Sequence, residues 1–150
     1  MTKDINIREY KKSDKESVLN LLRLNTPQYF SHDEEKDLIR YLDNEIENYY
    51  VITCENRIAG CGGFNFSGDP TTGRISWDIF HPEFQGKGLG TYLLKYRIEK
   101  LKNYSRLKTI SVRTSQLVYK FYEKSGFTLK EVIEDYWAEG FDLYRMEYTG

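Results

Sequence analysis

His81-Pro82-Glu83-Phe84-Gln85-Gly86-Lys87-Gly88-Leu89-Gly90 is the stretch on which the reading of this chain turns. Before it, Arg74 to Phe80 has the composition of a strand. After it, Gly88 to Lys102 carries Leu89, Leu93, Leu94, Ile98 and Leu101 on one helical stripe, with Lys95, Glu99, Lys100 and Lys102 off it. A strand ends, Pro82 turns the chain, and glycines open an amphipathic helix. The first amides of a helix have no acceptor within it, and the helix dipole makes that end partly positive. Glycine lets an anion come close to such amides. Residues 85–91 therefore predict a phosphate-binding corner, with Lys87 adding a positive charge nearby. A plain helix start with turn glycines and no ligand accounts for the same letters. The P-loop pattern does not, because Gly88 follows Lys87 where Ser or Thr is needed. The dinucleotide spacing G-x-G-x-x-G is also missed, since the glycines run G-x-G-x-G.

Working outward, alternation in Arg74 to Phe80 predicts that Ile75, Trp77 and Ile79 face one way and Arg74, Ser76, Asp78 and Phe80 the other. Residues 5–9 read as a first strand. Ser13-Asp14-Lys15-Glu16 and Ser31-His32-Asp33-Glu34 read as capping boxes. They open helices that carry Val18, Leu19, Leu22 and Leu24, then Leu38, Ile39, Leu42 and Ile46, with Pro27 between them. Tyr49 to Cys54 and Ile58 to Phe66 read as a hairpin about Glu55-Asn56-Arg57, with a loop at Ser67 to Pro70. Gly60, Gly62 and Gly63 in the second strand mark a bulge or a close backbone approach. Lys108 to Arg113 is a strand, and Gln116 to Lys124 a short helix stopped by Gly126. Phe127 to Trp137 and Phe141 to Tyr148 are two last strands joined at Ala138-Glu139-Gly140. The order β-α-α-β-β-β-α-β-α-β-β predicts an α+β fold, a mixed and mostly antiparallel twisted sheet of about seven strands with about four helices.

At 150 residues the chain fits one domain, residues 1–150. Aromatics make up 15%, including 13 tyrosines, so core and cleft alike should be rich in rings with polar tips. A net charge of -1, from 22 basic and 23 acidic residues, argues against a nucleic-acid surface. No apolar run approaches the ~18 residues of a membrane span. Met1 to Tyr10 lacks a signal core, so a cytoplasmic protein is expected. Cys54 and Cys61 are expected to be reduced there, although they could face each other across the hairpin. With no histidine near them, no metal site is expected. His32 and His81, the two histidines, read as turn or cap-adjacent residues.

Gln85-x-x-Gly88-x-Gly90, after a strand and Pro82 and before an amphipathic helix, resembles the acetyl-CoA motif (Q/R)-x-x-G-x-(G/A) of the GNAT superfamily of N-acyltransferases. Phe121-Tyr122-Glu123-Lys124-Ser125-Gly126-Phe127 is similar to that family's second block, at the usual distance downstream. The element order matches too, so the resemblance covers essentially the whole chain. It implies an N-acetyltransferase that moves acetyl from acetyl-CoA to a primary amine by direct attack in a ternary complex. It implies that the backbone of Ile79 and Phe80 pairs with the pantetheine arm. The amides of Gln85, Gly86, Lys87, Gly88, Leu89, Gly90 and Thr91 would hold the pyrophosphate, and a backbone N–H near Phe80 the oxyanion. The strand holding Asp78 would splay from the strand holding Ser111. Tyr122 occupies the general-acid position, where a phenol can protonate the departing thiolate.

Two departures stand beside this. Where some members carry a basic Glu this chain has Arg74, and another base position reads Ser111. Asp78, placed on the same strand face as Arg74, is then the candidate base, or else a carboxylate paired with a nearby Arg, Lys or Tyr, with Glu134, Asp135 and Asp142 as rivals for the base. Where many members have Asn to bond the pantetheine, the segment reads Thr114-Ser115-Gln116, and Ser115 or Gln116 would substitute. Residues 13–48 and 134–142 would choose the amine. Tyr29, Phe30, His32, Tyr136 and Trp137, beside many acids, suit a cationic amine: a small molecule, a lysine or a protein N-terminus. Edge strands at the C-terminal end permit a homodimer. Two other readings stay open: a CoA-holding GNAT-fold sensor or interaction module without turnover, and a different phosphate ligand, such as a nucleotide, on a convergent turn.

Overall fold

A computed structural model describes residues 4–150; Met1, Thr2 and Lys3 of the charged N-terminal stretch lie outside them. The strands are β1 (Ile5–Glu9), β2 (Asn48–Cys54), β3 (Arg57–Asn65), β4 (Thr72–Phe80), β5 (Thr109–Thr114), β6 (Phe127–Ala138) and β7 (Phe141–Tyr148). The helices are α1 (Lys15–Leu24), α2 (Glu34–Arg40), α3 (Leu89–Leu101) and α4 (Tyr119–Lys124). One seven-stranded sheet runs β1-β2-β3-β4-β5-β7-β6. Every neighbouring pair is antiparallel except β4 and β5. The predicted order and fold class hold. Among the described residues no helix is long and apolar enough to cross a membrane.

Each sheet face buries its own core. On one, Leu89, Leu93, Leu94, Ile98 and Leu101 of α3 pack with Tyr50, Ile52, Phe64, Ile75, Val112 and Met146. On the other, Val18, Leu19 and Leu22 of α1 and Leu38 of α2 pack with Tyr49, Val51, Cys61 and Ile79. Each such side chain stabilises the fold by about 1.5–3 kcal/mol relative to exposure. Cys54 and Cys61 are free thiols belonging to opposite cores, so no bridge joins them.

Local details differ from the reading of the sequence. Neither predicted box uses its serine hydroxyl. Asp14 instead reaches back to the Lys11 amide (2.8 Å), two residues earlier than expected, and also pairs with Arg8. Glu34 does reach back to the Ser31 amide (2.8 Å). Leu24 is exposed, Ile46 lies just beyond the widened last turn at Tyr41–Glu45, and α4 begins at Tyr119. The hairpin turn needs only Glu55 and Asn56, both with positive φ, because that mirror-image turn matches the twist of β2 and β3.

The difference that matters most is in β4. Cys61 pairs with Ile79 and Gly63 with Ser76, so two steps of β3 face three of β4. The extra residue is a bulge at Trp77, whose φ is 48°. A bulge reverses the alternation. Ile75 therefore enters the α3-side core, whereas Ile79 and Trp77 join the α1-side cluster. Asp78 is turned toward α3 and does not share a face with Arg74. The parallel pairing of β4 with β5 also stops at Ile75 and Val112, and beyond it the two strands part.

Candidate active site

The turn after β4 is built for open amides. Pro82–Phe84 forms one tight turn, pinned by His81 Nδ1, which accepts from the Glu83 amide (3.1 Å). Gly86 and Gly88 then take φ of 77° and 82°, a region costly for any residue with a Cβ. At both, the space a Cβ would occupy is open. Gly88 caps α3 without a side-chain hydrogen bond, and the first bond into the helix is Tyr92 N–H to the Gly88 carbonyl (3.0 Å). Of the amides ahead of it, that of Gln85, expected to face a pyrophosphate, bonds the Pro82 carbonyl instead (3.4 Å), and those of Gly86 to Thr91 bond no other backbone group. They edge a cavity of about 360 Å3, walled by Phe80, Phe84, Gln85, Gly86, Gly88, Leu89, Gly90 and Thr91 on one side and Leu117, Val118, Lys120 and Phe121 on the other.

The flanking residues divide. Gln85 Nε2 donates to Asn25 Oδ1 and to the Phe80 carbonyl, both at 3.1 Å. Asn25 Nδ2 donates to the same carbonyl at 2.9 Å. The Phe80 carbonyl, expected to meet the pantetheine arm, thus already carries two side-chain donors. Ile79 lines the cavity but pairs with Cys61 in β3. Lys87 does not line it, and its ammonium lies over the Phe84 ring, as does the Arg57 guanidinium. At Gly90 a Cβ would sit 3.2 Å from the Phe121 ring, so that glycine packs the two sequence blocks together.

At the inner end lies a buried polar triad. Arg97 of α3, fully buried, meets Asp78 Oδ1 at 2.6 Å, and Tyr122 of α4 donates to Asp78 Oδ2 at 2.5 Å. Arg97 also donates to the Leu93 carbonyl (3.2 Å) and the Gly63 carbonyl (3.0 Å). A Cβ on Gly62 would fall 2.1 Å from Asp78 Oδ1, so the triad fits only against a glycine. Burial pushes the Asp78 carboxyl up, and the Arg97 charge opposes it. Burial, then the Asp78 charge, holds the Tyr122 phenol well above its ordinary range, so Tyr122 keeps its proton. Arg97 was missed in the sequence, though it lies on the line of Leu89, Leu93 and Leu101, where a charge among apolar residues is the signal.

A second cavity, about 660 Å3, opens on the other side of the β4–β5 parting. Asp78, Tyr122, Val118, Tyr29 and Phe30 line both cavities. The second is also walled by Glu34, Trp77, Trp137 and Phe141, with Arg74 and Arg113. In its wall the Tyr41 hydroxyl meets Asn65 Oδ1 (2.6 Å) and Ser76 Oγ (3.0 Å).

The remaining predicted residues fall elsewhere. Ser115 lines the second cavity, and its Oγ accepts from the Leu117 amide. Gln116 clamps the β6–β7 hairpin through the Gly140 carbonyl and the Asp142 amide. Asp135 and Asp142 are tied within that hairpin. Glu134 is exposed, and Ser111 is buried beside Arg74 in the β4–β5 register. Trp137 lines the second cavity, its Nε1 donating to the Thr114 carbonyl; Tyr136 stands outside it against Arg113. His32 lines neither cavity.

The model of the acetyltransferase (GNAT) family matches residues 16–127. An uncharacterised N-acetyltransferase, ycf52 of Gracilaria tenuistipitata var. liui, is 36% identical over 88 residues, which are 57% of this chain and 48% of that protein. The match thus spans about half the length of that curated relative. Among solved structures, an aminoglycoside 6'-N-acetyltransferase complexed with coenzyme A superposes with a TM-score of 0.76 at 16% identity, covering 95% of each chain. A spermidine N-acetyltransferase from Vibrio cholerae gives 0.71 at 17% identity, covering 95% of this chain and 92% of that one. At such identities these likenesses speak for the fold.

Proposed function

The chain belongs to the acetyltransferase (GNAT) family, and from that premise we propose that it transfers the acetyl group of acetyl-CoA to a primary amine by direct attack in a ternary complex. One observation carries the reading: two cavities, one edged by bare amides and one by rings and carboxylates, meet at Asp78 and Tyr122. Acetyl-CoA is the co-substrate, and it supplies an activated thioester. The open corner at Gly86 and Gly88 fits its diphosphate, and the amides of residues 86–91 hold it there. The amine enters from the second cavity.

Transfer forms a bond from the amine nitrogen to the acetyl carbon and breaks the bond from that carbon to sulfur. One proton must pass from nitrogen to sulfur. Tyr122 gives its proton to the departing sulfur as general acid. Asp78 takes the amine's proton, directly or through water, and returns a proton to Tyr122 along their hydrogen bond. Arg97 touches neither substrate and acts as a positioning residue, keeping Asp78 aimed at Tyr122.

Incubation of the full chain with acetyl-CoA and a panel of amines, followed by free-thiol release, tests the reading. Amine-dependent release is expected. Tight CoA binding with no release above the uncatalysed rate for any amine would contradict it.

A further inference from the structure

The carboxylates around the second cavity are not equivalent. Asp78 is paired with Arg97. Glu47 accepts the amides of Phe66 and Ser67, and Glu45 reaches Arg40 and is largely solvated. Glu34, at the start of α2, is different. It is only 8% exposed, its single hydrogen bond comes from the Ser31 amide, and no cationic side chain pairs with it among the described residues. The Ser31 hydroxyl beside it is buried without a partner. Burial pushes the Glu34 carboxyl up, as expected for a charge without a counter-ion.

The cavity that Glu34 lines is also walled by rings. Phe30 stacks on Trp77 (centroids 6.3 Å apart, 18° between planes), and Tyr41 tilts against the same indole at 6.3 Å. Tyr29, Phe30, Tyr41 and Trp77 line the cavity with Glu34. Ring faces attract cations, more strongly where water is excluded. A nearly sealed carboxylate is costly unless a cation joins it. The two cations on this wall, Arg74 and Arg113, form no salt bridge among the described residues; Arg74 is only partly buried, and Arg113 is exposed and lies over the Tyr136 and Trp137 rings, so both keep access to water.

We propose that the acceptor carries a second positive charge, and that Glu34, in the cavity walled by Tyr29, Phe30, Tyr41 and Trp77, holds it while the attacking amine lies toward Asp78. This rests on the amine-acetylation reading and narrows its substrate to diamines and polyamines.

The test titrates the full chain, with CoA present, against butylamine and against linear diamines from 1,3-diaminopropane to 1,6-diaminohexane. Wild type should bind the best diamine roughly tenfold or more tightly than butylamine, the scale of one charge-assisted hydrogen bond. Glu34→Gln, whose amide oxygen can still accept from Ser31, should erase that preference while CoA affinity and melting temperature stay as in wild type. Equal affinity of wild type for mono- and diamines would overturn the proposal, and that comparison decides alone if the variant does not fold. A preference that survives Glu34→Gln would overturn it as well. Thiol release on the same samples separates the two readings. Glu34-dependent diamine binding without acetylation leaves the cation site standing and removes the transferase; acetylation without a diamine preference does the reverse.

Discussion

On the α3 side of the β4–β5 opening the working surface is main chain: uncapped amides at Gly86 to Thr91 and two left-handed glycines with open space in front of them. On the other side it is side chains: the rings of Tyr29, Phe30 and Trp77, the Glu34 carboxylate and the Tyr41–Asn65–Ser76 cluster. A surface made of amides grips a phosphate whatever the residues beside it, so it suits a ligand shared by a whole family. A surface made of side chains can be rewritten one substitution at a time, so it suits the choice of acceptor. The Asp78–Tyr122 pair, common to both cavities, is where the constant half meets the variable one.

Substitutions can separate the two surfaces. Tyr122→Phe removes the proton donor at the junction and should lower the rate of thiol release roughly 10²–10⁴-fold. CoA affinity measured by calorimetry should stay within about threefold, because the amides are untouched. Arg97→Met strands a buried carboxylate and should cost about 3–5 kcal/mol in urea unfolding. The Asp78→Asn, Arg97→Met double variant should recover much of that loss, which marks the pair as a positioning device. Gly88→Ala forces a Cβ into a left-handed backbone, at a cost of about 1–2 kcal/mol. Because that Cβ also points at the ligand space, CoA binding should weaken about tenfold, while the affinity of an amine for the second cavity is unchanged.

A control lies away from both cavities. Asp14, held by Arg8 and the Lys11 amide, has its carboxyl below the ordinary 3.8, chiefly through the Arg8 hydrogen bond. A lowered folded value means stability that is fully present above pH 3.8 and is lost as pH falls through the folded value. Asp14→Asn should therefore destabilise by about 1–2 kcal/mol at pH 7, and the gap should close toward pH ~2. Binding in either cavity should not change.

Legibility in the sequence follows the same division. Glycine, proline and a 3.6-residue stripe are direct statements about backbone, so the helix start at residues 85–91 and the element order could be expected from letters, whereas the parting of β4 from β5 is implied only by the family resemblance. The bulge at Trp77 could not, because Arg74 to Phe80 alternates without a break. Its trace is on the neighbouring strand, where Gly62 leaves room for the displaced Asp78 and for Arg97. The bulge separates Asp78 from Arg74 and joins it to Tyr122, a contact between residues 44 apart that no local pattern announces. Glu34 looked like half of a capping box, and it does bond Ser31. Only the tertiary fold places it in one cavity with the rings and, among the described residues, without a cationic partner.

A crystal structure of the full chain with CoA bound tests the central claim most directly. The diphosphate should lie on the amides of residues 86–91, with the thiol sulfur within about 3.5 Å of the Tyr122 oxygen, at the mouth of the second cavity. A diphosphate bound away from that helix start, or a sulfur beyond reach of Tyr122, would contradict it.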